Sequence, residues 1–206
     1  PRKGAKPRVL TEPDAAYRIL HVEDGRALVF TDKDAPRRRV VWMDLAQPAP
    51  AHWQPVIPEG EGALTNAQWY GGQLVAHSIE NVHSVLRVFD GAGTPAGVIA
   101  LPGTGVVQGL YGSADSPRVS LLYSGLLQPP VLLQHDLSTG QTRVESEAEQ
   151  APDLSAYEVS QEWFASKDGT RVPMFVVARK GLARDGSHPT MIYGYGASGT
   201  SELPYF

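Results

Sequence analysis

Short apolar, β-prone runs alternate with polar turns along most of the chain, and the runs recur in a fixed order. The first unit reads Tyr17 to Val22, a turn at Glu23-Asp24-Gly25, a strand Arg26 to Thr31, a polar loop Asp32 to Pro36, and a strand Arg39 to Asp44. The second reads Leu64 to Tyr70, a turn at Gly71-Gly72, Gln73 to Ile79, a loop Glu80 to His83, and Val85 to Asp90. The third reads Val106 to Tyr111, a looser turn through Ala114 to Pro117, Arg118 to Ser124, a loop Gly125 to Pro130, and Val131 to Asp136. A fourth, outer strand follows in the second unit (Gly97 to Leu101) and in the third (Gln141 to Glu145). Asp44, Asp90 and Asp136 close the third strand of each unit and stand 46 positions apart. A four-stranded unit of about 40 to 50 residues is the period of a β-propeller blade. A strand-end carboxylate can accept hydrogen bonds from the backbone just beyond it, so these aspartates read as turn formers, not catalysts. Helical periodicity is close to absent, and strands bounded by Gly, Pro and Asp mark an all-β segment.

The pattern changes after the third unit. Glu145 to Asp153 is acidic, punctuated by Pro152, and lacks an apolar run, which predicts a linker. A hairpin follows: Tyr157 to Ala165, an Asp-Gly turn over Ser166 to Thr170, and Arg171 to Ala178. Pro173 in the return strand places it at a sheet edge or a bulge, because proline has no N–H. After the loop Arg179 to Pro189, the apolar run Thr190 to Tyr195 predicts a strand that breaks into a turn holding Gly194, Gly196 and Gly199. At the other end, Pro1 to Pro7 reads as loop and Arg8-Val9-Leu10 as an edge strand.

Composition narrows the function classes. The chain has 206 residues and a net charge of −4, with basic residues clustered only at Arg37-Arg38-Arg39 and near the N-terminus, so a nucleic-acid partner is not expected. There is no cysteine, which removes disulfides, thiolate nucleophiles and Cys-based zinc sites. No apolar run approaches the length of a membrane-spanning helix, so no membrane partner is expected. The first residue is Pro1, so the true N-terminus is expected to lie upstream, and the compartment, cytoplasmic or periplasmic, stays open.

Candidate chemistry concentrates at the terminal glycine turn. Gly194, Gly196 and Gly199 spell G-x-G-x-x-G, and the same residues could form the oxyanion side of a serine hydrolase. A dinucleotide site needs a helix directly after the glycines. Pro204 interrupts such a helix, and Tyr195 is bulky for a phosphate cradle. The nearest approach to a nucleophile elbow, Gly196-Ala197-Ser198-Gly199-Thr200, has threonine where G-x-S-x-G requires glycine. His188 precedes a proline in a loop. The six histidines (His21, His52, His77, His83, His135, His188) show no H-E-x-x-H and no carboxylate cluster, so neither a metal nor a cofactor is expected.

Ser166 to Phe175, then Asp185-Gly186-Ser187-His188-Pro189, then Tyr193-Gly194-Tyr195-Gly196, resemble the opening of the catalytic domain of the prolyl oligopeptidase family. His135 to Gly140 is similar to blade-end turns of that family. The resemblance implies a mainly β chain: a partial β-propeller of about three four-stranded blades (1–150), followed by the first strands of an α/β-hydrolase sheet (151–206). It implies a part of a serine-type oligopeptidase that cleaves short peptides, after proline, through an acyl-enzyme. Tyr195 corresponds to the family's oxyanion-hole tyrosine. The Ser-Asp-His triad is expected downstream, so the chain alone should be inactive, and the remainder of its own peptidase domain is the expected partner. Where many members continue with Gly-Phe, this chain has Ala197-Ser198, which leaves the lining of the proline pocket, and so the P1 preference, open. The alternative from another class is a non-catalytic propeller-type binding or scaffold module.

Overall fold

The computed structural model describes residues 9–148, 151–198 and 200–206. The basic segment before Val9, Glu149 of the acidic run, and Gly199 of the glycine turn lie outside the described residues.

The described residues form 14 strands in four antiparallel sheets, each open, with no α-helix among them. The first sheet contains β1 (Tyr17–Glu23), β2 (Arg26–Thr31), β3 (Arg39–Asp44) and β4 (Gln54–Ile57), hydrogen-bonded in chain order. The second contains β5 (Ala63–Tyr70), β6 (Gln73–Glu80), β7 (His83–Asp90) and β8 (Pro95–Ile99), and the third β9 (Val106–Tyr111), β10 (Arg118–Gly125), β11 (Gln128–Asp136) and β12 (Gln141–Glu147). These are the repeated four-stranded units of a propeller, present as a fragment. The fourth sheet is the two-stranded hairpin of β13 (Tyr157–Ala165) and β14 (Arg171–Arg179).

Most strand positions follow the sequence pattern, and the departures have physical causes. β4 lacks any alternation: Pro55 sits within it and a 3-10 turn, Pro50–His52, precedes it. The expected loops Glu80 to His83 and Gly125 to Pro130 contract to the two-residue turns Asn81-Val82 and Leu126-Leu127. Pro129 and Pro130 are accommodated in β11 because the β10–β11 register is irregular there and the pairing of β12 stops at Val131. The acidic linker starts later than expected, since Glu145 and Glu147 belong to β12 and Ser120 Oγ donates to Glu145 Oε2 at 3.0 Å. Val9 and Leu10 form no strand; Leu10 instead packs on the first sheet.

The expected strand Thr190 to Tyr195 is also corrected: these residues belong to no strand among those described. An apolar, β-prone run becomes a strand only when a neighbour takes its backbone N–H and C=O groups, and no described strand does so. After the third four-stranded sheet, the described residues form one further sheet, the two-stranded β13–β14 hairpin, and the expected α/β-hydrolase sheet is not seen among them.

The core explains why the middle strands are apolar throughout. In the first sheet Leu28 pairs with Trp42 and Phe30 with Val40 on one face, while Ala27 pairs with Met43 and Val29 with Val41 on the other. The first set is buried with Val56, Leu64 and Leu74 of the first two sheets, and the second set beneath Leu10, Tyr17, Leu45 and Trp53. A strand covered on both faces needs no polar alternation. The strand-end aspartates act as turn formers. Asp44 Oδ1 accepts the Ala46 N–H at 2.7 Å, Asp90 Oδ1 those of Ala92 at 2.9 Å and Thr94 at 2.8 Å, and Asp136 Oδ1 that of Ser138 at 2.9 Å. The Thr94 N–H holds the Asp90 carboxyl below the usual range, and the Ser138 hydroxyl does the same for Asp136.

By packing, the chain divides into two compact units: Pro1–Ser78 with Leu86–Val98 and Ala114–Pro117, and Ile79–Val85 with Ile99–Ser113 and Arg118–Phe206.

Candidate functional site

The candidate residues lie in the second unit, and their placement begins with the hairpin. Its turn closes as the Asp-Gly signal predicts: Ser166 N–H donates to Thr170 O at 2.8 Å, Gly169 takes φ +83°, and Asp168 Oδ1 accepts the Thr170 N–H at 2.9 Å. Pro173 pairs with Trp163 in a strand that has one neighbour among the described residues. One face of the hairpin carries Tyr157, Val159, Gln161 and Trp163 opposite Arg179, Val177, Phe175 and Pro173.

The loop after β14 is fastened to the other face. Arg184 donates to Glu162 Oε1 at 2.8 Å and to Ser160 Oγ at 2.9 Å, and this pair holds the Glu162 carboxyl below its ordinary range. Asp185, Gly186 and Ser187 form the next turn, with Asp185 Oδ1 accepting from Ser187 N–H at 3.0 Å and Ser187 Oγ at 2.7 Å. His188 sits in this exposed loop, where its carbonyl accepts from Thr190 Oγ1 at 3.1 Å.

Beyond it the chain runs through open solvent. Met191 is 91% exposed, Ile192 89%, and Tyr193 77%; Tyr195 is half exposed at 53%. A Cβ added at Gly194 or Gly196 would meet nothing within 4 Å, so neither glycine is demanded by crowding in this structure. The turn after them places Ser198 at φ +58° and bonds Thr200 N–H to Ala197 O at 3.1 Å. Ser198 and His188 are therefore both on exposed loop, and among the described residues no strand-to-helix elbow presents the serine. Tyr195 carries a phenolic O–H, a donor suited to a developing oxyanion. Among the described residues no cluster of three or more His, Asp or Glu is placed to hold a metal ion.

A pocket of about 310 Å³ lies under the hairpin's inner face, lined by Val159, Gln161 and Phe175 with Tyr123, Leu126 and Leu127. No charged side chain lines it. The Tyr123 ring is fully buried, and burial raises its phenol above the usual range. A Cβ at Gly105 would fall 2.5 Å from the Tyr123 hydroxyl and 2.3 Å from Ser124 O, so this glycine is required by close approach.

Sequence reasoning missed one contact at this place. Gln161 Nε2 donates to Asn81 O at 2.6 Å, joining β13 to the β6–β7 turn across 80 residues. A side chain bonded to a distant backbone carbonyl leaves no spacing or motif by which to find it.

Comparison with known proteins gives a consistent outcome. The family model described as "Prolyl oligopeptidase, N-terminal beta-propeller domain" matches residues 2–148. The chain is 28% identical over 198 residues to a prolyl endopeptidase of Elizabethkingia meningoseptica, covering 96% of this chain and 28% of that protein. It is 30% identical over 216 residues to a dual function macrocyclase-peptidase of Amanita bisporigera, covering 100% of this chain and 29% of that protein. Among solved structures, a prolyl endopeptidase analysed for the role of inter-domain dynamics in catalysis and specificity superposes with TM-score 0.83 at 36% identity, covering 95% of this chain and 29% of that one. Prolyl oligopeptidase B of Galerina marginata, bound to a 35-residue hydrolysis and macrocyclization substrate, superposes with TM-score 0.85 at 26% identity, covering 96% of this chain and 28% of that one. The chain thus spans only about 28% of the length of the first of these relatives.

Proposed function

The chain belongs to the prolyl oligopeptidase family, and from that premise we propose that it is part of a serine-type oligopeptidase that cleaves short peptides after proline. Residues 1–150 supply propeller blades, and 151–206 open the peptidase domain. The observation that carries this reading is the order of parts along one chain. Three four-stranded sheets lead to the β13–β14 hairpin and then to an apolar run, Met191 to Tyr195, left exposed as a strand awaiting its sheet would be. The solved relative with a bound peptide substrate supports peptides as the ligand class.

In this reading Tyr195 is the oxyanion donor. Attack of a serine on the scissile carbonyl places a negative charge on its oxygen. A neutral phenol with an ordinary pKa of about 10 stays protonated at working pH and can donate to that oxygen. The serine, its histidine base and the orienting aspartate belong to sequence beyond the matched region. The chemistry needs no cofactor.

The test is the protein extended through its natural downstream sequence. It should hydrolyse a blocked Gly-Pro reporter faster than the Gly-Ala equivalent and be labelled by a serine-directed fluorophosphonate. Tyr195→Phe should lower kcat by about 10² to 10³-fold with little change in labelling by the probe at saturation. The 206-residue chain alone should do neither. Absence of labelling in the extended protein, or cleavage by the chain alone, would overturn the proposal.

A further inference from the structure

Ile79–Val85 is the tip of the second sheet, made of the end of β6, the turn and the start of β7. Ile79–Val85 groups with the third sheet and the β13–β14 hairpin. Hydrogen bonds hold it there. Ser84 N–H donates to Gly105 O at 3.0 Å, Val107 N–H donates to Ser84 Oγ at 2.8 Å, and Gln161 Nε2 donates to Asn81 O at 2.6 Å. The first two tie the tip to the third sheet, and the last ties it to the hairpin.

The turn that presents Asn81 O is strained. Asn81 and Val82 have φ +47° and +66°. Positive φ at both positions is the geometry in which Asn-Gly is preferred, and a β-branched residue there is an outlier. The two other turns of this shape, Asp24-Gly25 and Gly71-Gly72, do have glycine at the second place. Backbone strain held in place by surrounding contacts motivates a search for function at that point.

Gln161 is the mid-strand residue of β13, opposite Phe175, and both line the pocket beneath the hairpin. The Arg184 bonds to Glu162 and Ser160 stiffen the opposite face of the hairpin but do not join it to the blades.

We propose that Gln161 is a clasp: its amide, by holding the Asn81 carbonyl, sets how much of the time the hairpin stays seated over the pocket. Seated, the hairpin covers the inner faces of Phe175 and Tyr123. Released, it lifts from that pocket. Where 151–206 opens the peptidase domain, this clasp acts on how readily that domain parts from the blades; this consequence alone rests on the proposed function. The clasp itself is a property of the 206-residue chain and is tested on it without any cleavage assay.

The chain contains no cysteine, so Phe175→Cys introduces a single thiol under the hairpin. Its reaction rate with a maleimide, relative to a free thiol, reads the lifted fraction. Removing one neutral hydrogen bond should raise that rate about three- to tenfold in the added presence of Gln161→Leu. Gln161→Asn keeps the amide but shortens its reach by one methylene, and should behave as Gln161→Leu. A thiol at Val119, fully buried in the third sheet, should keep its slow rate in both. Equal Phe175→Cys rates with and without Gln161 would overturn the clasp, and so would a parallel rise at the Val119 thiol, which reports a loosened fold. Should Phe175→Cys fail to fold, hydrogen exchange on the cysteine-free chain decides. Gln161→Leu must speed exchange at the pocket turns Gly103–Gly105 and Leu126–Gln128 and leave β9–β10 pairing unchanged, or the proposal fails.

Discussion

At the scale of single residues, two buried histidines link stability to pH. His77 is 7% exposed in β6, and burial lowers its pKa from 6.5 to about 4. His135, buried beside Thr142 Oγ1 at 2.8 Å, is shifted in the same direction by burial. A histidine with a depressed folded pKa takes its proton first in the unfolded chain. Stability is therefore full above the unfolded value of 6.5 and is lost as pH falls toward the folded value near 4. The loss from His77 is at most about 3 kcal/mol. Urea unfolding across this window should show a steep decline, and His77→Gln should flatten it by about one proton's worth of slope. An unchanged slope in that variant would mean that His77 is protonated equally in both states. Tyr195 is half exposed, and its proposed role depends on what is brought to it.

At the scale of elements, the β6–β7 turn is where the sequence and the backbone disagree most. Relieving a β-branched residue of left-handed φ returns roughly 1–2 kcal/mol, of which glycine's greater freedom when unfolded takes back about half. Val82→Gly should therefore stabilise the chain by up to about 1 kcal/mol, read as a higher urea midpoint at constant m-value. The reverse exchange isolates the backbone contribution. Gly72 has φ +88° and open space where a Cβ would stand, so Gly72→Val should cost up to about 1 kcal/mol, the same two contributions with their signs reversed. A Val82→Gly protein less stable than the parent would show that the side-chain packing of Val82 outweighs its strain.

The same turn shows what the sequence could reveal. Asp24-Gly25 and Gly71-Gly72 announced their hairpins because the residues suit the required φ, whereas Asn81-Val82 looked like the rim of a longer loop. The middle strands were legible because burial on both faces leaves them apolar and bounded by turns. β4 was not, because Pro55 and the short 3-10 turn hide it and its place is set by pairing to Val40, Val41 and Trp42. Tyr195 was legible as a motif, but its pairing partners were not, since a strand's existence depends on residues far away in the chain. The Gln161 contact lies at the limit of this: one side chain, one carbonyl, and no local pattern at either end.

At the scale of the whole molecule, the exposed apolar run decides how this chain behaves alone. Met191, Ile192 and Tyr193 are 91%, 89% and 77% exposed, and their backbone groups are unpaired, which is a template for pairing with another chain. Tyr205 and Phe206, also exposed, lie close by in sequence. The 206-residue chain should therefore self-associate, with an apparent size that grows with concentration in size-exclusion chromatography. Met191→Asp together with Ile192→Asp should restore a monomer without changing the far-UV circular dichroism, because neither side chain supports any described sheet. In the protein extended downstream the same pair should do the opposite. If the run becomes an inner strand there, two buried unpaired carboxylates should cost more than about 4 kcal/mol and abolish folding of the peptidase domain. This contrast separates a propeller-type module complete in itself from the opening of a peptidase domain. In the module the two aspartates are harmless in both contexts. In a peptidase domain they are harmless only where the sheet that should receive them is absent.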